Sequence, residues 1–170
     1  MTPDPHQHPP PSDDDPSAVS RKKDHIELAF QSQVAAAALD GRFFYEPFLS
    51  AHPKPGSLPA FSFLGKTLRS PLWVSSMTGG TERARTINQN LARACAEFGM
   101  GMGLGSCRQL LYSDAFLPDF DVRAHIGPDL PLYANLGVAQ IEQLFERGEP
   151  DKMRALVDKL RADGLIIHVN

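Results

Sequence analysis

PLWVSSMTGG, residues 71–80, is the stretch that decides the fold. Its apolar start has the length of a strand and no polar alternation, the pattern of a strand covered on both faces in a parallel α/β sheet. The run then breaks into serine, threonine and two glycines, and a helical pattern follows directly. In α/β barrels that carboxyl end of a strand is where ligands and chemistry gather. The stretch therefore points to a site as well as to a core.

Downstream the same rhythm repeats. Residues 82–98 read as a helix with Ile87, Leu91, Ala94, Cys95 and Phe98 on one apolar stripe. Thr81 is its candidate N-cap, and Glu82 suits the positive helix start. A glycine-rich strand over 101–105 comes next, then a polar-aromatic stretch to Arg123 with room for a short helix. A strand over 131–136, helical patterns around 141–146 and 151–161, and the buried strand GLIIHV at 164–169 complete the run. Strands alternating with helices imply βαβ units and a parallel sheet. A doubly wound sheet and an eight-stranded barrel both fit that alternation. Polar residues recur at the strand exits: Thr78, Ser106, Asn135, then His168 and Asn170. Successive strands aiming polar groups at one rim suit a barrel better, because an open sheet concentrates its site at one crevice.

Upstream, residues 1–20 carry six prolines and four aspartates and almost no aliphatic side chains. Such a tail cannot bury enough apolar surface to offset its ordering entropy and is expected to be disordered, with His6 and His8 as solvated bystanders. An extension over 21–70 follows. Residues 25–39 hold Ile26, Leu28, Ala29, Val34 and an alanine run with no glycine or proline, a helix that Asp40-Gly41 would end. Residues 43–59 read as an irregular connection, and FSFLGKTLR, 61–69, as a small hairpin turning at Gly65-Lys66.

The formal charge of −3 and the lack of a basic stripe exclude a nucleic-acid partner from the leading readings. No apolar run nears the ~20 residues of a membrane span, and the start lacks the layout of a secretory signal. Two cysteines, Cys95 and Cys107, without zinc-ligand company or a disulfide framework, suggest a reducing, cytoplasmic setting. A full barrel takes about 250 residues. About a hundred follow Ser70, so four strands and three crossovers are expected. Half a barrel leaves two apolar edges open, which implies either a fragment or a chain that needs a partner.

Several constellations carry candidate chemistry. The run GMGMGLGS, 99–106, is not a clean dinucleotide fingerprint; its alternate glycines bare one strand face, either for a flat ring or for a tight barrel corner. Thr78-Gly79-Gly80 is either an anion or ring-edge cradle at a helix start or a plain turn. Arg21-Lys22-Lys23 with His25 is either a grip for a diphosphate or a solvated helix start. His168 is either a hydrogen-bonded core residue or, at the presumed active rim, a functional one.

In order along the chain, RKKDHI (21–26), SFLGKTLRSPLWVSSMTGG (62–80), GLGSCR (103–108), YANLG (133–137) and ADGLIIHVN (162–170) resemble the type 2, flavin-dependent isopentenyl-diphosphate isomerase family. The resemblance implies a (β/α)8 TIM barrel binding FMN, of which this chain would be the first half behind a helix-and-hairpin extension. It implies interconversion of isopentenyl and dimethylallyl diphosphate with FMN kept reduced by NADPH, together with Mg2+, in isoprenoid biosynthesis. It assigns Arg21 and Lys22 to the substrate diphosphate, and Met77, Thr78, Gly79, Ser106 and Asn135 to the flavin. Ser106 and Arg108 would also face substrate, and His168, the catalytic candidate, would contact the diphosphate or its surroundings. Gly101, Gly103 and Gly105 would leave room for the flavin ring. Cys107 stands where many members have Gln. The resemblance also implies a Gln-Glu pair just after Asn170, further strands, and assembly into tetramers or octamers. The 170 residues alone are accordingly expected to hold neither FMN nor activity. An FMN barrel of the α-hydroxy-acid oxidase type and a non-catalytic half barrel are the competing readings.

Overall fold

The computed structural model describes residues 18–32, 54, 56–57, 59–76 and 78–169, with the backbone alone at 18, 19 and 21. In chain order come a helix α1 (Ala18–Gln31), a hairpin of β1 (Phe61–Phe63) and β2 (Lys66–Leu68), then β3 (Trp73–Val74), α2 (Glu82–Phe98) and β4 (Gly101–Gly103). Two 3₁₀ turns (Arg108–Leu111 and Asp114–Phe116) lead into the one-turn helices α3 (Leu117–Phe120) and α4 (Arg123–Ile126). The chain continues through β5 (Leu132–Gly137), α5 (Val138–Glu146), α6 (Asp151–Lys159) and β6 (Gly164–His168).

Strands β3-β4-β5-β6 form one parallel sheet in sequential order. A doubly wound sheet reverses its order at a switch point; the four described strands keep an unbroken order, which is consistent with part of a barrel. The β5–β6 pair is the longest, running from Tyr133↔Gly164 to Gly137↔His168. One face of β5 presents Leu132, Ala134 and Leu136, all fully buried against Leu144, Leu156 and Leu160 of the helical layer. Each such leucine contributes roughly 1.5–3 kcal/mol by leaving water. The other face carries Tyr133 and Asn135.

Helix α2 keeps the predicted bounds because both ends are sealed. Thr81 Oγ1 accepts from Ala84 N–H at 3.1 Å, and Gly99 closes the last turn at φ 68° while Met100 N–H donates back to Cys95 C=O at 3.0 Å. Its buried stripe is rotated from the expected one. Ala84, Asn88, Ala92 and Cys95 face inward, Ile87 and Leu91 flank them, and Phe98 is exposed. Small residues let the helix lie close to the sheet and to α3 and α4, and Asn88 is satisfied there by donating to Asp119 C=O at 2.9 Å.

Other expectations shift at their edges. Strand β3 covers two residues of the apolar run expected to form a strand over 71–77: among the described residues it pairs only with β4, and Trp73 and Val74 are half-buried, not covered on both faces. β6 is only partly covered, with Ile167 54% and Val169 79% exposed, so GLIIHV is not the buried strand its apolar run suggested. Helix α1 begins at Ala18, inside the tail expected to lack order; the rest of that tail, the part of the 25–39 helix prediction beyond Ser32, its Asp40-Gly41 end and most of the 43–59 connection lie outside the described residues. The hairpin turns one residue early, at Leu64-Gly65 with φ 51° and 79°, the double positive φ of a type I′ turn that matches strand twist.

That shift frees Lys66 to start β2 and reach the amino end of the sheet. Its Nζ meets Asp163 Oδ1 at 2.7 Å and Pro128 C=O at 2.6 Å. Asp163 Oδ2 in turn accepts from Arg123 at 2.8 Å and from Leu132 N–H at 2.9 Å. The hairpin thus plugs the end opposite the carboxyl rim.

Candidate functional site

At the carboxyl rim the strand exits touch in series. Gly105, just past β4, lies so close to the Thr78 backbone that a Cβ there would come within 2.3 Å of its carbonyl oxygen. Cys107 N–H donates to Asn135 C=O at 2.8 Å, carrying the β4 exit onto β5. Asn135 Oδ1 then meets His168 Nδ1 on β6 at 2.6 Å. Helix α1 reaches over this line: Lys22 Nζ donates to Ser106 C=O at 3.2 Å and sits 5.2 Å from the centre of the Phe120 ring. Thr78, Ser106, Asn135, His168 and Lys22 are therefore brought together as one rim. Arg108 opens the first 3₁₀ turn, two residues past Ser106 and half-buried. Met77, Asn170 and the side chain of Arg21 lie outside the described residues.

The site's floor differs from expectation. Gly101 and Gly103 bare the inner face of β4, but what fills that space is protein. A Cβ at Gly101 would lie 2.0 Å from the Trp73 indole, and one at Gly103 would lie 2.7 Å from both Ile166 Cδ1 and Ser76 Oγ. Trp73 reaches the Tyr133 ring at 5.8 Å and the Phe63 ring at 5.6 Å. With Gly105 pressed on Thr78, none of the three glycines leaves room for a flat ring. The packing favours the tight-corner reading: Trp73 takes the space beside Gly101, Ile166 and Ser76 that beside Gly103, and the Thr78 backbone that beside Gly105.

The turn from Thr78 to Gly80 is where unmet polar capacity concentrates. Thr78 is 7% exposed and its Oγ1 has no hydrogen-bond partner among the described residues; Gln109 Oε1 is likewise buried and without a partner among them. Gly80, at φ 74°, would drive a Cβ to 1.8 Å from that Gln109 oxygen. Phe120 closes the floor, its ring edge 2.0 Å from where a Gly79 Cβ would sit. A buried polar atom without a partner costs about 1–3 kcal/mol, so this turn suits a ligand that supplies hydrogen bonds. The residues fit the polar edge of a planar group at Thr78–Gly80, not a ring laid over Gly101 and Gly103. Gln109 and Phe120 had no signal in the sequence, since only the loop after β4 folding back on the β3 exit brings them here.

The nucleophilic thiolate form of Cys107 is disfavoured by burial. Burial pushes its thiol up to about 12; a backbone hydrogen bond from Asn135 and the charge of Lys22 pull the other way without offsetting it. Its Sγ donates to Gly105 C=O at 3.3 Å. Among the described residues no three His, Cys, Asp or Glu side chains converge as a metal-binding group, and no helix is long and apolar enough to cross a membrane.

The fold and rim define a parallel α/β sheet with a polar site at its carboxyl end. The chain is similar to proteins called isopentenyl-diphosphate delta-isomerase. It is 40% identical over 161 residues to the one from Rickettsia rickettsii (strain Sheila Smith), an overlap spanning 89% of this chain and 44% of that protein. The Rickettsia typhi protein is 38% identical over 157 residues (91% and 45%), and the Rickettsia felis protein 41% over 155 residues (89% and 44%). The chain thus spans less than half the length of the curated relatives it matches. No protein-family model matches it.

Proposed function

We propose that this chain belongs to an isopentenyl-diphosphate isomerase of the type 2, FMN-dependent kind, whose barrel is completed by strands added to the sheet edges. The observation that carries this reading is the cationic Lys22 held over the joined exits of β3 to β6, beside a turn with two unmet buried polar atoms. The relatives are named for isomerisation of isopentenyl diphosphate; in this reading one proton is added to the terminal alkene carbon and another leaves the neighbouring methylene, with no net redox change.

Reduced FMN, maintained by NADPH, would supply acid–base chemistry when bound. Thr78, Gly79, Met77, Ser106 and Asn135 would hold it, with the Thr78 hydroxyl gaining the partner it lacks. Arg21, Lys22 and Arg108 would bind the diphosphate, where fixed positive charge is worth most in a site closed to water. Ser106 and His168 orient the same group. Mg2+ would be held chiefly through the diphosphate itself and would offset its negative charge, since this ion favours substrate phosphates over all-protein cages. A dry pocket matters because a carbocation-like path must exclude nucleophilic water.

The test compares the 170-residue chain with the protein extended to its relatives' length. Flavin absorbance and conversion of isopentenyl diphosphate are measured under reducing conditions. The extended protein is expected to be yellow and active, the short chain neither. A colourless, inactive extended protein refutes the reading, and so does an active short chain refute its incompleteness. Oxygen consumption during turnover of a 2-hydroxy acid would favour the oxidase class instead.

A further inference from the structure

His168 and Asn135 occupy the same face of neighbouring parallel strands. The register pairs Asn135 with Ile166 and Gly137 with His168, so the two side chains are diagonal neighbours one pleat apart. Their contact is short and specific: His168 Nδ1 lies 2.6 Å from Asn135 Oδ1. A carboxamide oxygen only accepts, so the proton in this contact belongs to Nδ1. In a neutral imidazole that leaves Nε2 as the bare nitrogen.

Nε2 has its own seat. A Cβ at Gly137 would stand 2.9 Å from it and 3.3 Å from Cε1, so the ring lies across a position kept empty of side chain. The same missing Cβ would meet Gln140 Oε1 at 2.4 Å, and that oxygen accepts from Gly137 N–H at 3.1 Å at the start of α5. Asn135, itself only 3% exposed, is held by the sheet on one side and by Cys107 N–H on its carbonyl. The imidazole is thus bounded by a fixed acceptor at one nitrogen and a bare glycine beside the other.

We propose that Asn135 is a positioning residue that fixes His168 in the Nδ1–H tautomer, so that Nε2, lying across Gly137, is the nitrogen offered to ligand. Nε2 then accepts a proton or hydrogen bond when the ring is neutral and donates one when it is charged, while Nδ1 keeps its proton throughout. That a diphosphate is the ligand rests on the function proposed above; the tautomer does not. The opposite arrangement has a definite form too: an amide turned over would donate from Nδ2 to a bare Nδ1, and Nε2 would carry the proton.

The experiment is a long-range proton–nitrogen correlation spectrum of the whole chain labelled with nitrogen-15 histidine. It is recorded near pH 8.5, roughly two units above the ordinary imidazole pKa of about 6.5. The His168→Gln spectrum identifies the signal among the six histidines. The wild-type ring is expected to show a protonated Nδ1 and a bare Nε2. Asn135→Asp, which keeps an acceptor oxygen, is expected to preserve that pattern, and Asn135→Ala to shift the ring toward the tautomer mixture of free histidine. A protonated Nε2 in the wild type overturns the proposal, as does an unchanged tautomer in Asn135→Ala. Should the alanine variant fail to fold, the wild-type spectrum and the Asp variant decide. No flavin or substrate is present, so failure of the isomerase assay and failure of this proposal are read separately.

Discussion

Cys95 and Cys107 show how a residue's chemistry follows from its surroundings. Both thiols are fully buried, one against the α2–β4 junction and one under the rim. Burial pushes Cys95 up to about 11 and Cys107 up to about 12, so the reactive thiolate is scarce at neutral pH. At about pH 8 the native chain is expected to give almost no reaction with a disulfide reagent, and both thiols to react once urea unfolds it. Rapid labelling of either thiol in the native chain would contradict the packing. The sequence marked these cysteines as unpaired, which the structure bears out. It gave no sign that Cys107 lies beside Lys22 and Asn135.

At the scale of elements, the site depends on how closely strand exits approach. Gly105 sits where β4 leaves the sheet, and the atoms its Cβ would meet are backbone atoms of Thr78 at 2.3 to 2.7 Å. Backbone cannot swing aside as a side chain can, so Gly105→Ala is expected to pry the β3 and β4 exits apart. Overpacking of this kind costs typically about 1–3 kcal/mol, readable as a lowered urea midpoint with an unchanged slope. A variant as stable as the wild type would show that the two exits are not braced. Helix α2 was legible to the residue because Thr81, Glu82 and Gly99 are local signals. The rotated stripe was not, because which helix face is buried depends on α3 and α4 as well as on the sheet.

For the whole molecule, the two ends of the sheet have separate tasks. The carboxyl end gathers the rim, and the amino end is clasped by Asp163 with Lys66 and Arg123. Burial alone would raise the Asp163 pKa, but hydrogen bonds from Lys66, Leu132 and Arg123, with the charge of Arg123, outweigh it and hold the carboxyl below its ordinary 3.8. A carboxyl depressed in the folded state stabilises it above the unfolded pKa, and that contribution fades as pH falls through the lower, folded value. Asp163→Asn is therefore expected to cost about 2 kcal/mol near neutral pH, the scale of charge-assisted hydrogen bonds. The gap to wild type is expected to close below about pH 4. Equal stability at pH 7, or a gap that widens in acid, would show that the hairpin is not anchored through this carboxylate.

The strand–helix rhythm, the parallel sheet and the polar strand exits were set by the sequence, because periodicity, caps and glycine signals act over a few residues. Which atoms meet at the rim was decided only by the tertiary structure. The alternating glycines announced a bared face, but Trp73, Ile166 and the Thr78 backbone, brought in from other strands, fill it. His168 was legible as a rim residue, while its bond to Asn135, 33 positions earlier, exists only through the β5–β6 register. Contacts of that span depend on how the layers close on one another, and no local pattern encodes that closure.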